Sequence, residues 1–285
     1  MSILLPAVVI TGASTGIGEA CALELDRRGF RVFAGVRSQS AAEKLKAQAS
    51  SRLTPVLIDV TDAAAIAAAA KVVGETTGDA GIAGLVNNAG IAVGGPVELV
   101  PIEAWRRQIE VNVIGPVAVT QAFLPLLRKA SGRIVNISSV SGGQSTPYLG
   151  PYCASKFALE AITDALRIEL RRWNIHVSAV EPGPIDTPIW EKSSQAADQM
   201  SEQASPETLS LYAMDIGAMH ESVARTAQSA SPVDRVVRAV VHALTAKRPK
   251  TRYFLGWGVR VCFKGMKMLP DRLRDWIIRK AIRLP

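Results

Sequence analysis

Cysteine and histidine are scarce in this chain, and the cysteines that occur are far apart. Cys21, Cys153 and Cys262 are the three cysteines of the 285 residues, and there are three histidines. An odd number of widely separated cysteines fits neither a disulfide framework nor the ligand spacing of a metal site. We therefore expect no metal, structural roles for His176 and His220, and a reducing cytoplasm as the location.

Long apolar runs are also missing. No segment approaches the roughly 20 apolar residues that a membrane-spanning helix needs. The apolar stretch 3–10 has no basic segment before it and leads into a glycine-rich segment, so it predicts a first strand rather than a signal peptide. No linker or internal repeat divides the chain, and we expect one domain over 1–256 followed by a C-terminal extension over 257–285.

Positive charge is concentrated at the C-terminus. Residues 247–285 carry twelve Lys and Arg against two Asp, a balance of +10 in a chain whose formal net charge is +8. The other 246 residues therefore sum to −2, which argues against a nucleic-acid-binding body.

The extension also carries an apolar pattern. From Asp271 onward, four apolar residues can share one helical face apart from the cations: Leu273, Trp276, Ile277 and Leu284. One interpretation is packing onto the body or a second subunit; the other is peripheral attachment to an anionic membrane surface.

Short β-branched segments alternate with longer helical patterns, which predicts βαβ units and a doubly wound parallel sheet with helices on both faces. Strands are expected at 7–11, 31–35, 55–59, 84–87, 133–138, 176–181 and 251–255. Helices are expected at about 17–28, 40–50, 62–76, 101–129, 151–172 and 232–246. Gly29 suits a left-handed helix end, and Pro116 and Pro125 predict a kink or division in the fourth helix.

The stretch 184–231 breaks this alternation and is too long for an ordinary loop, which predicts a substrate-binding loop or lid. If its apolar residues cover a substrate, a hydrophobic alcohol or ketone is favoured over a small sugar. An alternative is that about half of them pack onto the body. They are Ile189, Trp190, Met200, Leu209, Leu211, Tyr212, Met214 and Ile216.

The first predicted strand ends in the segment Thr11-Gly12-Ala13-Ser14-Thr15-Gly16-Ile17-Gly18. Glycines at a strand-to-helix junction let the backbone turn tightly and approach a pyrophosphate over the helix N-terminus. The same glycines could also form a plain tight turn.

The Gly-x-x-x-Gly-x-Gly spacing of this segment, taken with four further motifs, resembles the short-chain dehydrogenase/reductase superfamily. The segment from Tyr152 to Glu160 is in addition similar to its steroid- and retinol-acting members. The resemblance covers about residues 5 to 255. It implies an NAD(P)-dependent oxidoreductase of Rossmann fold, assembled as a homodimer or homotetramer through the helices at 101–129 and 151–172. The further motifs are Asn87-Asn88-Ala89-Gly90, Asn112, Ser139 with Tyr152-Cys153-Ala154-Ser155-Lys156, and Pro182-Gly183 followed by Thr187.

The proposed chemistry centres on Tyr152. Lys156 lies four residues further along a predicted helix, so the two side chains project from one face. A nearby ammonium lowers the pKa of a phenol and makes proton exchange with a substrate oxygen feasible. Ser139 can hold that oxygen, with Ser138 and Ser141 as the alternatives.

The resemblance adds two roles. It implies that Asn112 keeps a water in line with Lys156 and that Lys156 bonds the nicotinamide ribose. The alternative for Asn112 is a buried structural amide.

Cofactor choice is decided at the end of the second strand. The segment Gly35-Val36-Arg37-Ser38 has no carboxylate for a ribose, and Arg37 can pair with a 2′-phosphate. NADP(H) is therefore favoured, with NAD(H) as the alternative, since Arg37 could be an ordinary surface residue and Thr15 supplies no second cation. The expected cofactor-binding residues are Gly12, Ser14, Thr15, Gly16, Ile17, Gly18, Arg37, Asp59, Val60, Asn88, Ala89, Gly90, Tyr152, Lys156, Pro182, Gly183, Ile185 and Thr187.

The sequence thus predicts hydride transfer between NADP(H) and a hydrophobic alcohol or ketone by a cytoplasmic protein, with the membrane-surface interpretation of the tail still open. Dehydration or epimerisation is a rival reaction, against which the glycine spacing argues. A rival from another class is a catalytically retired NADP(H) sensor or membrane-docked adaptor. The intact set Ser139, Tyr152 and Lys156 argues against it.

Overall fold

The computed structural model describes residues 6–191, 193, 205–228, 230–255, 265–266 and 268–283. Within them, seven strands form one parallel sheet in the order β3-β2-β1-β4-β5-β6-β7. The strands are β1 (Ala7–Ile10), β2 (Arg31–Val36), β3 (Leu53–Leu57), β4 (Gly84–Asn87), β5 (Arg133–Ile137), β6 (His176–Pro182) and β7 (Arg252–Leu255). The predicted doubly wound sheet is confirmed, and each strand starts and ends within two residues of its predicted bounds.

Helices cover both faces of the sheet because successive strand residues point to opposite sides. Val8 and Ile10 of β1 pack in one core cluster and Val9 in the other. The first cluster is completed by α1, α2 and α9, the second by α3 and α5. The helices are α1 (Gly16–Arg27), α2 (Gln39–Lys46), α3 (Ala63–Thr77), α4 (Ile102–Ile109), α5 (Gly115–Ala130), α6 (Gly150–Glu169), α7 (Pro206–Leu211), α8 (Ala213–Gln228), α9 (Asp234–Thr245) and α10 (Asp271–Ile282).

Local sequence signals account for several helix ends. The Asp62 carboxylate accepts hydrogen bonds from the first-turn N–H groups of Ala64 and Ala65, at 2.8 and 3.1 Å, and so caps α3. Gly29, with φ of +86°, follows α1 in the left-handed region, as predicted.

The fourth predicted helix is divided, but before its first proline and not at it. A π-helical turn, Glu110–Ile114, joins α4 to α5, and the Gly115 N–H bonds to the Glu110 carbonyl five residues back. Pro116 has no N–H for the carbonyl of Asn112, so the regular helical pattern cannot continue through this point. Pro125 lies inside α5 without ending it.

The helical stretch Ile102–Ala130 is long and apolar enough to cross a membrane. The expectation that no segment has the length and apolar composition of a membrane-spanning helix was therefore wrong. Val119, Phe123 and Leu127 of this stretch are fully buried in the second core cluster. Packing inside the fold accounts for their apolar character.

The lid stretch contains two helices that were not predicted. Ser205 begins α7 by accepting a hydrogen bond from the Thr208 N–H at 3.1 Å, and α8 follows after Tyr212. In the C-terminal extension, α10 begins at Asp271 and packs against α8. Met200, Cys262 and Leu284 lie outside the described residues.

Candidate active site

A cavity of about 780 Å³ opens at the carboxyl ends of the strands. It lies where β1 and β4 are neighbours and the strand order reverses, which is where open α/β sheets bind ligands. All the residues expected to bind the cofactor line it except Gly18, and three of the four expected catalytic residues, Ser139, Tyr152 and Lys156, line it too. Asn112 is outside the lining.

The glycine-rich turn after β1, residues 12–18, lies at one end of the cavity. Gly12 and Gly16 have φ of +67° and +62°, in the region that favours glycine. A Cβ at Gly18 would lie 2.3 Å from the Gly12 carbonyl oxygen, so Gly18 serves the close packing of α1 against the turn. Because the Thr15 side chain makes no capping bond among the described residues, the N-terminus of α1 is open to an anion. These features fit a dinucleotide pyrophosphate.

Asn88 and Thr11 fasten this turn to the end of β4. The Asn88 amide donates to the carbonyl oxygens of Thr11 and Gly12, both at 3.0 Å. The Thr11 hydroxyl accepts from the N–H groups of Asn88 and Ala89 at 3.0 and 3.1 Å. The prediction omitted Thr11, although it opens the motif that carried the resemblance.

Tyr152 and Ser139 meet at the other end of the cavity. Tyr152 lies in the first turns of α6, and the hydroxyl of Ser139, which follows β5, acts on its phenol by a hydrogen-bonding effect that lowers the pKa of Tyr152. Ser138 and Ser141 also line the cavity, but among the three serines only Ser139 is a cause of the pKa shift of Tyr152. This favours Ser139, the serine that the sequence predicted.

Lys156 is buried one turn further along α6. Its ammonium donates to the Ile137 carbonyl oxygen at 2.8 Å and lies 5.7 Å from the centre of the Tyr152 ring. Burial lowers the pKa of Lys156 to about 8, against an opposing effect of Glu160.

The expected lowering of the Tyr152 pKa by Lys156 is not what the structure shows. Burial raises the pKa of Tyr152, and the hydrogen bond with Ser139 acts in the opposite direction. The phenol is therefore protonated at neutral pH, and the expectation failed because desolvation of the ring is the largest effect on its pKa, while the Lys156 ammonium donates to the Ile137 carbonyl.

Comparison with known proteins agrees with this geometry. A family model described as short chain dehydrogenase matches residues 6–198. The chain belongs to this family. It is 40% identical over 280 residues to 17-beta-hydroxysteroid dehydrogenase type 6 of Bos taurus, covering 96% of this chain and 88% of that protein. It is also 40% identical over 289 residues to retinol dehydrogenase 5 of Homo sapiens, covering 96% and 89%.

Solved structures of short-chain dehydrogenases superpose over at least 97% of this chain. A short-chain dehydrogenase from Streptomyces avermitilis gives a TM-score of 0.77 at 28% identity, covering 97% of this chain and 96% of that one. One from Burkholderia cenocepacia in complex with NADP gives 0.73 at 27% identity, covering both chains fully at 100%. The predicted resemblance is confirmed, and this short-chain dehydrogenase is an NAD(P)-dependent oxidoreductase acting on CH–OH groups.

Asn112 has a structural position in this dehydrogenase. Its side-chain oxygen accepts from the Ile91 N–H at 2.9 Å, and its amide donates to the Ile91 carbonyl at 2.9 Å and to Ser155 Oγ at 3.1 Å. Gln108 makes the parallel pair of bonds, to the Ile91 carbonyl at 3.0 Å and to Ser155 Oγ at 3.2 Å. The side chain of Asn112 thus matches the buried-amide alternative, while the water-holding role stays a prediction. Gln108 and Ser155 were missed because nothing local in the sequence marks them as partners.

An ion network lies behind Lys156. Arg252 of β7 donates to Glu160 at 2.9 Å and to Asp164 at 2.9 Å, and it pairs with Glu181 at 3.2 Å. Glu160 is four residues beyond Lys156 on α6, so this network holds the carboxylate whose charge favours the ammonium of Lys156. The sequence offered no signal for it, because Arg252 and Glu160 are 92 residues apart.

Arg37 and Asp59 lie together at the end of the cavity where the resemblance implies the adenosine of the cofactor. The N–H and hydroxyl of Thr61 donate to Asp59 at 2.9 and 2.7 Å, and these two bonds, more than Arg37 and Arg107, lower the pKa of Asp59. A second cavity of about 430 Å³ adjoins this point and is lined by Arg37, Asp59, Arg106 and Arg107 among others. Arg106 and Arg107 of α4 are cations near the end of β2 that the sequence did not reveal.

The lid residues divide between cavity and surface. Ile189, Trp190 and Ile216 line the cavity, whereas Leu211 and Met214 are exposed. Leu209 and Tyr212 are outside the lining, and the Tyr212 hydroxyl donates to Glu98 at 2.6 Å. Three of the described residues of this set therefore line the cavity, whereas Leu211 and Met214 do not pack onto the body as the alternative expected.

The last expectations from the sequence concern two histidines and a metal site. His220, expected to be structural, lies along the cavity wall on α8, and His176 begins β6. Among the described residues, no group of three or more His, Cys, Asp or Glu could hold a metal ion.

Proposed function

We propose that this short-chain dehydrogenase transfers hydride between NADP(H) and a hydrophobic alcohol or ketone, with Tyr152 as the general acid and base. The observation that carries the proposal is that Ser139, Tyr152 and Lys156 line one cavity together with the glycine-rich turn. Both hydroxyls can reach one substrate oxygen, so a carbonyl there is oriented by two groups.

The protonated phenol suits Tyr152 to the reductive direction. As hydride reaches the carbonyl carbon, negative charge develops on the oxygen, and the proton of Tyr152 moves to it. Ser139 donates to the same oxygen and so stabilises the developing charge. Lys156, held 5.7 Å from the ring, stabilises the phenolate that remains. The nicotinamide cofactor, when bound, supplies or accepts the hydride.

The cofactor would be held by the turn around Gly12 and Gly16, with the adenosine near Asp59 and Val60. We infer a preference for NADP(H) because Arg37 directly follows β2, where a carboxylate is missing, and because Arg107 lines the adjoining cavity and adds positive charge near Asp59. Lys156 would bond the nicotinamide ribose, as the family resemblance implies.

A hydrophobic substrate is supported by the walls of the cavity and by the relatives. Apolar side chains of the lid, Ile189, Trp190 and Ile216, line it. The similar proteins are named for hydroxysteroids and retinol. We therefore infer a steroid-, retinoid- or lipid-like alcohol or ketone.

The test is turnover of a panel of hydrophobic ketones and alcohols, followed by the absorbance of NADPH. Consumption of NADPH with a large apolar ketone, faster than with a small sugar, is the expected result. Binding of NADPH without turnover of any panel member would favour the rival proposal of a catalytically retired NADP(H) sensor or adaptor.

We also propose a homodimer or homotetramer built on the outer faces of α5 and α6. Phe157 and Ile168 are exposed apolar residues of α6, eleven positions apart and hence on one side of the helix, and Ile114 is exposed just before α5. Light scattering of the wild type and of Ile168→Asp tests this, with a lower mass expected for the variant.

Peripheral membrane association of a cytoplasmic protein is the remaining proposal. Leu273 and Trp276 of α10 are 43% and 57% exposed, and Lys280 and Arg283 follow on the same side of the helix. An apolar strip with adjacent cations suits an anionic membrane surface.

A further inference from the structure

The C-terminal helix contributes to the cavity. Ile282, at the end of α10, is 9% exposed and is the buried residue of that helix. It lines the same cavity as Tyr152 and Ser139, although it is far along the chain from both. The family model ends at residue 198, so this contribution comes from a part of the chain that the model does not describe.

The helix on which α10 packs presents an apolar face to the cavity. Ile216, Met219 and Val223 of α8 line it, at spacings of three and four residues that place them on one side of the helix. None of the described residues of α8 is buried. Its apolar face therefore meets the cavity and not the protein core, and an apolar occupant would complete its burial.

The orientation of α10 follows from its own exposure pattern. Ile278 is half-buried and Ile282 is buried, four residues apart on one face, while Leu273 and Trp276 on the opposite face are exposed. The helix thus has an inner face that ends at the cavity and an outer face that does not reach it. Substitutions on these two faces can be compared within one helix.

We propose that α10 completes the substrate cavity and that Ile282 is a specificity-determining residue, whose side chain limits the size of the hydrophobic ketone that the site accepts. This inference rests on the proposed function and names the part of the chain that sets substrate size. A larger side chain at 282 shortens the cavity and a smaller one extends it, without a direct effect on the proton transfer at Tyr152.

The test compares two ketones of different size, cyclohexanone and a four-ring steroid ketone, with NADPH and the full-length protein. Ile282→Trp is expected to lower kcat/KM for the steroid ketone at least tenfold relative to cyclohexanone, since a pocket discriminates about 10–200-fold per methylene. Ile282→Ala is expected to shift the ratio the other way. Leu273→Trp and Leu273→Ala are the matched controls on the outer face, and their ratios should stay within about twofold of wild type, since that face does not line the cavity.

A change of equal size for both ketones would mean that Ile282 only packs α10 onto the lid, and would overturn the inference. If Ile282→Trp does not fold, as judged by its melting curve and NADPH binding, the ratio for Ile282→Ala decides. If the wild type reduces no ketone, the proposed function fails. Calorimetric binding of the steroid ketone to the NADP⁺ complex then decides the inference by itself: weaker binding in Ile282→Trp but not in Leu273→Trp supports it, and equal binding in both overturns it.

Discussion

Lys156 lies over the ring of Tyr152, with its ammonium nitrogen 5.7 Å from the ring centre. The same nitrogen donates to the Ile137 carbonyl at 2.8 Å, so the side chain is fixed between the end of β5 and the proposed acid. Burial lowers the pKa of Lys156 to about 8. Keeping this buried side chain charged therefore reduces the stability of the folded state.

This cost makes stability depend on pH in a definite direction. The folded pKa of about 8 lies below the ordinary value of 10.5, so between these values the unfolded chain binds more protons than the folded one. The free energy of unfolding of the cofactor-free wild type should therefore rise with pH over this interval, relative to Lys156→Met. Urea unfolding at pH 7, 8, 9 and 10 measures the difference, and the variant cancels the contributions of other groups. A difference that stays flat or falls would contradict the burial of a charged Lys156.

The glycine-rich turn is tested by a pair of glycine substitutions. Gly18→Ala should destabilise the protein by about 1–3 kcal/mol, as overpacking does, because its Cβ would lie 2.3 Å from the Gly12 carbonyl and 2.4 Å from the Asn88 amide. Gly74→Ala in α3 is the control, since its Cβ would have ordinary contacts at 3.7 Å. There the better helix former should stabilise by about 0.8–1 kcal/mol. Chemical unfolding of both variants measures these free energies. A Gly18→Ala protein as stable as wild type would contradict the close packing of α1 against the turn.

Cofactor preference should depend on Arg37. Because a charge-assisted bond contributes about 1.5–3 kcal/mol, Arg37→Ala should weaken NADPH about ten- to a hundredfold and leave NADH nearly unchanged. Arg106→Ala is a matched control, as Arg106 lines the adjoining cavity but is paired with Glu103 at 3.1 Å. Fluorescence titration with both cofactors gives the ratio, and an unaltered ratio in Arg37→Ala would make this arginine an ordinary surface residue.

The outer face of α10 should bind anionic vesicles. Each Lys or Arg near such a surface contributes about 1 kcal/mol, and salt screens the attraction over about 8 Å at physiological ionic strength. Co-sedimentation with anionic vesicles should therefore decrease as salt is added, and it should be weaker with neutral vesicles. It should also be weaker for the double variant that carries Leu273→Ser and Trp276→Ser. Leu57→Ser, an equally apolar exposed site on β3, should leave it unchanged. Equal sedimentation of the two variants would assign the strip to another role.

The features of the fold that could be predicted are those that depend on residues close together in the sequence. The apolar runs around Val9 and Ile134 specify buried strands, and the four-residue spacing of Tyr152 and Lys156 places both on one face of α6. Contacts made between distant segments could not be predicted in this way. The bonds of Asn112 to Ile91 and Ser155, and the burial of Ile282 against the cavity, depend on packing that no local spacing encodes.

The electrostatics of the site were the least predictable feature. A tyrosine and a lysine one turn apart indicate a lowered phenol pKa if both are solvated. In the folded protein burial raises the pKa of Tyr152 and lowers that of Lys156, because desolvation acts on both groups at once. Whether a neighbouring charge or burial dominates is decided by depth in the fold, which the sequence does not state.

The central claim, that Tyr152 transfers the proton, is tested most directly by Tyr152→Phe. The expected result is a fall in kcat of about 10²–10⁴-fold, the usual contribution of general acid catalysis, with the Kd for NADPH within a few fold of wild type. Tyr148→Phe makes the same chemical change at another residue of the cavity lining and should retain most of the turnover. Stopped-flow measurement of NADPH oxidation with saturating ketone compares the three proteins. A Tyr152→Phe enzyme that reduces the ketone at the rate of wild type would contradict the account.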